Sequence, residues 1–210
     1  MHGPYQQASF STGVAQLTAL PADRGVEVAF AGRSNAGKSS VINALTGRTA
    51  LARISKTPGR TQQINFFLLG DDDHRLVDLP GYGYANVPIP VKRRWAALVE
   101  GYLASRHSLR GVVLLMDVRR PFTDADSQLV DWCAHAGLAT HVLLNKCDKL
   151  SRGAGLRVLA DARKRLAPLG DENLVQLFSA TRRTGIDALG ARLDAWFGFA
   201  PAAGEAAGEG

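Results

Sequence analysis

Short apolar runs and helical stripes alternate along nearly the whole chain. "VEVAFAG" (26–32) is a β-branched, apolar run ending in glycine, the pattern of a strand that stops at a turn. "KSSVINALTG" (38–47) predicts a helix closed by Gly47. "TQQINFFLLG" (61–70) and "HRLVDLPG" (74–81) flank the acidic turn "DDD" and predict a hairpin. In "VKRRWAALVEGYLASR" (91–106), Trp95, Leu98, Val99, Tyr102 and Leu103 share one helical face. "LRGVVLLMDV" (109–118) and "THVLLNKCD" (140–148) are near-continuous apolar runs, as expected of strands buried on both faces. Helices are predicted over 124–137, over 155–170 until Pro168, and over 185–198, and a last strand over 173–180.

Strands alternating with helices predict an α/β fold, a mostly parallel sheet with helices on both faces. The 210 residues suit one domain. We expect a flexible N-terminal segment (1–12), a single folded unit (13–198) and a small, acidic, disordered tail (199–210).

In such sheets ligands bind at the carboxyl ends of the strands. Three polar motifs fall there. Gly32-Arg33-Ser34-Asn35-Ala36-Gly37-Lys38-Ser39 follows the first predicted strand and opens a helix. This is the G-x-x-x-x-G-K-[ST] phosphate loop, whose glycines let the backbone wrap phosphates. Lys38 can reach the β- and γ-phosphates, and the Ser39 hydroxyl can coordinate Mg²⁺. "DLPG" (78–81) ends another strand: Asp78 can hold Mg²⁺ through water, and the Gly81 amide can meet a γ-phosphate. "NKCD" (145–148) selects the base. Guanine presents N1–H and its 2-amino group side by side, and the Asp148 carboxylate can accept both. Adenine would strand that carboxylate, so the motif argues for guanine. Asn145 can bridge base and loop, Lys146 can cover the purine, and the Ala180 amide in "SA" (179–180) can donate to O6. A second Mg²⁺ hydroxyl is expected from "SKTPGRTQQ" (55–63), where Thr61 is favoured by the Pro58-Gly59 turn over Thr57.

Charge adds to this. The net charge is +6, and no acidic residue lies between Glu27 and Asp71, while Arg33, Lys38, Arg48, Arg53, Lys56 and Arg60 do. The phosphate-loop segment is therefore electropositive and suits a polyanionic ligand or partner. Cys133 and Cys147 form no disulfide framework, and no apolar run reaches the roughly eighteen residues of a membrane span. With no secretory signal visible, a cytoplasmic location is expected.

Together "GRSNAGKSSVINAL", "SKTPGRTQQINFF", "VDLPGYGYA", "NKCDKL" and "FSA" resemble the EngB family of bacterial GTPases, relatives of Era and the MnmE GTPase domain. The resemblance runs from about residue 8 to 198. It implies a Ras-like P-loop NTPase fold with a six-stranded, mostly parallel sheet and one antiparallel edge strand. It also implies a monomer acting on the large ribosomal subunit precursor (rRNA and ribosomal proteins), with a family link to normal division septum formation; DNA and integral membrane association are not expected. By carry-over, GTP or GDP should contact residues 32–39, then Gly59, Arg60, Thr61, Gln62 and Gln63. The remaining contacts are Asp78, Leu79, Pro80 and Gly81, then Asn145, Lys146, Cys147 and Asp148, and finally Phe178, Ser179 and Ala180. Mg²⁺ should be held by Ser39 and Thr61. Lys38, Thr61, Asn35 and Gly81 are the expected catalytic set. A division-site scaffold and a small-molecule kinase are the competing readings; "NKCD" argues against the kinase.

Many small GTPases orient the attacking water with a glutamine just after D-x-x-G. Tyr82 holds that position and cannot do so, which predicts slow intrinsic hydrolysis. Asn35 then has two readings. In Era- and MnmE-like relatives an asparagine in this slot is associated with K⁺, and Asn35 would place that charge at the phosphates. Alternatively, Asn35 only braces the loop.

Overall fold

The computed structural model describes residues 3–48, 51, 63–83 and 88–199. Among the described residues, seven strands form one sheet in the order β1-β3-β4-β2-β5-β6-β7. They are β1 (Ala8–Val14), β2 (Val26–Gly32), β3 (Ile64–Leu69), β4 (His74–Asp78), β5 (Leu109–Asp117), β6 (Ala139–Asn145) and β7 (Leu174–Leu177). The α-helices among the described residues surround it: α1 (Lys38–Thr46), α2 (Ile89–Ser105), α3 (Asp124–His135), α4 (Arg152–Leu166) and α5 (Ile186–Phe197). Strands β4, β2, β5, β6 and β7 pair in parallel, and β3 runs against β4 as the hairpin pattern requires.

Alternation along the strands builds two cores. Ala29, Val112, Leu114, Val142 and Leu144 point to the face covered by α2, α3 and α4. Val28, Phe30, Val113, Leu115 and Leu143 point to the face covered by α1 and α5. Every central strand is therefore apolar on both faces, and polar residues are left for the strand ends.

The expected α/β class holds, with one correction. The sheet has seven strands, not six, and the antiparallel β3 is not its edge. β1 lies outside β3, antiparallel to it, with Ala8 opposite Leu69 and Val14 opposite Ile64. This strand comes largely from the segment expected to be flexible. Its sequence, "ASFSTGV", buries only Ala8 and Val14, so no apolar run announces it. Tertiary contacts supply the rest. Tyr5, in the turn before β1, is buried and donates to Asp194 of α5 at 2.6 Å. A register shift between Phe10 and Thr12 kinks the outer strand, a common way to blunt an open edge.

One buried polar group makes stability depend on pH. His141 of β6 sits beneath α5, its ring edge-on to Trp196. Its Nε2 pairs with Gln176 Oε1 at 3.0 Å, while Nδ1 has no partner among the described residues. Burial pushes the imidazole pKa down to about 4. The unfolded chain binds this proton below about pH 6.5. Between those values the unfolded state holds more protons, so stability falls as pH drops from 6.5 toward 4, by up to roughly 3 kcal/mol. Urea unfolding at pH 7 and pH 4.5 should show this loss, and His141→Leu should lose markedly less between the two pH values.

Candidate functional site

The three motifs meet at the carboxyl end of the sheet. Gly32 closes β2 so near β5 that a Cβ there would lie 2.9 Å from the Leu115 carbonyl oxygen. The loop then turns through Asn35 at φ 65° and Gly37 at φ 97°, and α1 starts at Lys38. Gly37 is required twice over. Its φ suits only glycine, and a Cβ would sit 2.4 Å from Asn145 Nδ2. That amide donates to the Ala36 carbonyl at 2.7 Å, tying the phosphate loop to the end of β6.

The "DLPG" loop leaves β4 directly beside β2. Leu79 N–H donates to the Phe30 carbonyl at 2.9 Å. The Lys38 ammonium meets the Asp78 carboxylate. A cationic amine and a carboxylate thus face the same mouth, with the Ser39 hydroxyl on the first turn of α1. Hydroxyl and carboxylate oxygens are the donors a hard divalent cation takes. Further on, Ser34 N–H donates to the Tyr82 carbonyl at 2.7 Å, so the two loops share backbone.

Tyr82 itself turns inward. It is buried, and its hydroxyl donates to Asp126 Oδ1 at 2.8 Å. Burial first, then the Asp126 charge, pushes its phenol pKa well above the usual range. Asp126 also accepts from Thr123 in the capping box of α3. Trp95 of α2 packs on the Tyr82 ring and donates from Nε1 to the Pro80 carbonyl at 2.9 Å.

On the other side, "NKCD" and "FSA" are stitched together. Phe178 N–H donates to Leu144 O at 3.0 Å, and Cys147 N–H to Phe178 O at 3.1 Å. Ser179, fully buried, donates from Oγ to Asp148 Oδ1 at 2.6 Å, while Lys149 pairs with Oδ2 at 3.1 Å. Ser179 first and then Lys149 hold the Asp148 carboxyl below its ordinary pKa. Asp148 is therefore an oriented anion. Lys146, at φ 65°, extends across the top of the site, where Nζ donates to Asn35 O at 2.7 Å and to Asp117 Oδ2 at 3.1 Å.

Comparison with known proteins agrees with this geometry. A family model described as "50S ribosome-binding GTPase" matches residues 27–146. A probable GTP-binding protein EngB of Methylococcus capsulatus is 55% identical over 87% of this chain and 87% of its own length. One from Coxiella burnetii is 48% identical over 94% of this chain and 96% of its own length. The chain belongs to the EngB family of GTP-binding proteins. Membership gives GTP or GDP as the ligand and GTP hydrolysis as the family's reaction. A crystal structure of a probable GTP-binding protein engB has the same fold, with TM-score 0.66, 24% identity and coverage of 82% of this chain and 98% of that one. Era, solved with MgGDPNP and nucleotides 1506–1542 of 16S ribosomal RNA, also shares the fold, with TM-score 0.63, 18% identity and coverage of 89% of this chain and 60% of that one.

Within this EngB chain, residues 32–39, 78–81, 145–148 and 178–180 come together as the motifs predicted. Gln63 is described, and its side-chain amide lies beside Gly13 of β1. Gly59, Arg60, Thr61 and Gln62, with the alternative Thr57, lie outside the described residues. The motifs did not reveal Asp117. It ends β5, and the Arg119 guanidinium first, then Lys146, hold its carboxyl well below the usual range. Its signal was there: a carboxylate at the end of a buried apolar run, beside the phosphate loop. Local sequence marked Asp126 only as the capping-box partner of Thr123, because its other partner, Tyr82, is 44 residues away.

Proposed function

We propose that this EngB protein is a slow GTP-driven switch in assembly of the large ribosomal subunit. The observation that carries it is the joining of the three motifs at one mouth, through Lys38–Asp78 and Asn145–Ala36. In this reading Lys38 moves from Asp78 to the β- and γ-phosphates. Asp148 and Ala180 read guanine. The backbone from Ser34 to Ser39 wraps the phosphates, and Gly81 donates to the γ-phosphate. Ser39 and Thr61 hold Mg²⁺, with Asp78 acting through water. Held by these residues, the ion would supply charge neutralisation for the phosphates.

Tyr82 is anchored on Asp126 and has no part in orienting water, so intrinsic turnover should be slow, on the order of 10⁻⁴ to 10⁻³ s⁻¹ as in other unassisted GTPases. Asn35 would supply the missing charge by holding K⁺. Its side chain is exposed, and no described residue hydrogen-bonds it, which weakens the bracing role. Its φ of 65° raises a third possibility, since asparagine tolerates that conformation better than most residues. Asn35→Gly separates the K⁺ role from the conformational one, keeping the backbone and deleting the amide. Hydrolysis by the native chain should be several-fold faster in K⁺ than in matched Na⁺, and Asn35→Gly should remove the difference. Stimulation that survives in the variant would exclude the amide as ligand.

The ribosomal role is supported by the description of the matching family model and by the basic balance of the chain. The link to division septum formation enters only through the resemblance, and nothing in the site adds to it. Sedimentation with purified bacterial large subunits tests the reading. Binding should be strong with a non-hydrolysable GTP analogue, weaker with GDP and sensitive to salt. No binding in any nucleotide state would refute it.

A further inference from the structure

Helix α4 carries cations that the nucleotide site does not use. It buries Gly155, Leu159, Ala162 and Leu166 against the sheet and exposes Arg152, Arg157, Arg163 and Lys164. None of these four has a carboxylate within ion-pair distance among the described residues, whereas Lys149 pairs with Asp148 and Arg192 with Glu172. Arg165 is also occupied, donating to Ser127 and stacking over Phe122. At 100° per residue, Arg152, Leu156 and Arg163 fall in one row and Arg157 and Lys164 in a second. Gly153 and Ala160 lie between the rows, so the surface there is shallow. The single acid of the helix, Asp161, lies beyond the second row.

The local structure accounts for only half of this charge. Arg163 and Lys164 stand in the last turn, where the helix dipole favours cations. Arg152 stands in the first turn, where the dipole disfavours a cation and no acid offsets it, and Arg157 stands in the second turn, where the dipole gives it no support. Two cations that the dipole does not favour, without a counter-ion among the described residues and on an open face, call for an anion from outside. We propose that this face of α4 docks the phosphate backbone of RNA. The rows extend about 16 Å and about 10 Å along the axis, enough to meet several phosphates. An anionic membrane fits less well. The apolar side of α4 is buried in the fold, leaving Leu156 as the one large apolar side chain in the sector, too little to insert.

This inference rests on the ribosomal reading above and names the surface that serves it. The test measures binding to purified large subunits, with a non-hydrolysable GTP analogue, over a range of salt. Arg152→Gln/Arg163→Gln and Arg157→Gln/Lys164→Gln should each lower the slope of log affinity against log salt by about 1.4 to 1.8. Each should weaken binding at least tenfold at low salt, with GTP affinity and melting temperature unchanged. Arg24→Gln/Arg110→Gln removes the same charge at the starts of β2 and β5, off the α4 face, and should leave the slope unchanged. Native slope and affinity in both α4 variants would overturn the surface while leaving the ribosomal reading intact. Failure of the native protein to bind subunits would overturn both. Native binding to phosphatidylglycerol vesicles that the α4 variants lose, without subunit binding, would replace RNA with a membrane.

Discussion

Asp148→Asn should lower GTP affinity by roughly 10²- to 10⁴-fold and make xanthosine triphosphate the better ligand. The ground is the hydrogen-bond pattern of the base and the way Asp148 is held. One carboxylate oxygen accepts from buried Ser179, which fixes the plane of the group. Guanine offers two adjacent N–H donors, and only a group with two acceptors can take both. Hydrogen bonds to a charged group contribute about 1.5–3 kcal/mol each, so losing one outright, removing the charge from the other and setting donor against donor gives the stated range. In the variant, Ser179 can still donate to the amide oxygen, which turns the amide NH₂ toward the guanine 2-amino group, donor against donor. Xanthine carries a carbonyl at that position and restores an acceptor. Ser179→Ala should cost only about tenfold, because it frees the carboxylate without removing it. Equilibrium titration with fluorescent GTP, competed by unlabelled nucleotides, checks both variants. Unchanged GTP affinity in Asp148→Asn would remove "NKCD" from the base site.

The sequence announced the site better than the fold around it, for identifiable reasons. Phosphate and base recognition use contiguous stretches, so "GRSNAGKS" and "NKCD" carry their chemistry within eight residues or fewer. The central strands were equally plain, because burial on both faces demands unbroken apolar runs such as "GVVLLM". Edge strand β1 has no such demand. It is held by pairing with β3 and by Tyr5 reaching Asp194, 189 residues away. The positions of Lys146 and Tyr82 were hidden for a related reason. The Lys146 stem is expected to cover the purine face, and its Nζ is held by Asn35 O and by Asp117 at the end of β5, two groups distant in the chain. Tyr82 was readable as an absent glutamine, whereas its anchoring on α3 depends on how separate elements pack. Long-range polar partners leave no periodicity to read.

The same limit hid the buried charges at the opposite end of the sheet, where the largest loss of stability is expected. Glu27, at the start of β2, is wholly buried. Its carboxylate accepts from Arg106 Nη2 at 2.6 Å and Nε at 2.9 Å, from Arg75 Nη1 at 3.2 Å and from the Tyr102 hydroxyl at 2.8 Å. Burial works against the Arg106 charge, but the bonds to Glu27 outweigh it and hold its pKa above the ordinary value. The two arginines also donate to the carbonyls of Pro21, Ala22, Arg24 and Asp72, so the network fastens the segment that leads into β2. Glu27→Ala removes the anion and leaves both guanidiniums desolvated. Breaking a buried pair in this way costs about 3–5 kcal/mol. That is a large part of the 5–15 kcal/mol typical of a domain, and it should lower the melting temperature by roughly 10 °C. Excess GTP should recover part of the loss by mass action, since the nucleotide mouth lies at the other end of the strands. The paired charges need not be strong stabilisers themselves, because their desolvation offsets their attraction. Replacing all three as Glu27→Leu/Arg75→Leu/Arg106→Met should therefore cost less than Glu27→Ala alone. Thermal and urea unfolding of both variants distinguish the cases. A triple variant less stable than Glu27→Ala would mean that the carbonyls of residues 21–24, rather than the stranded charge, set the cost.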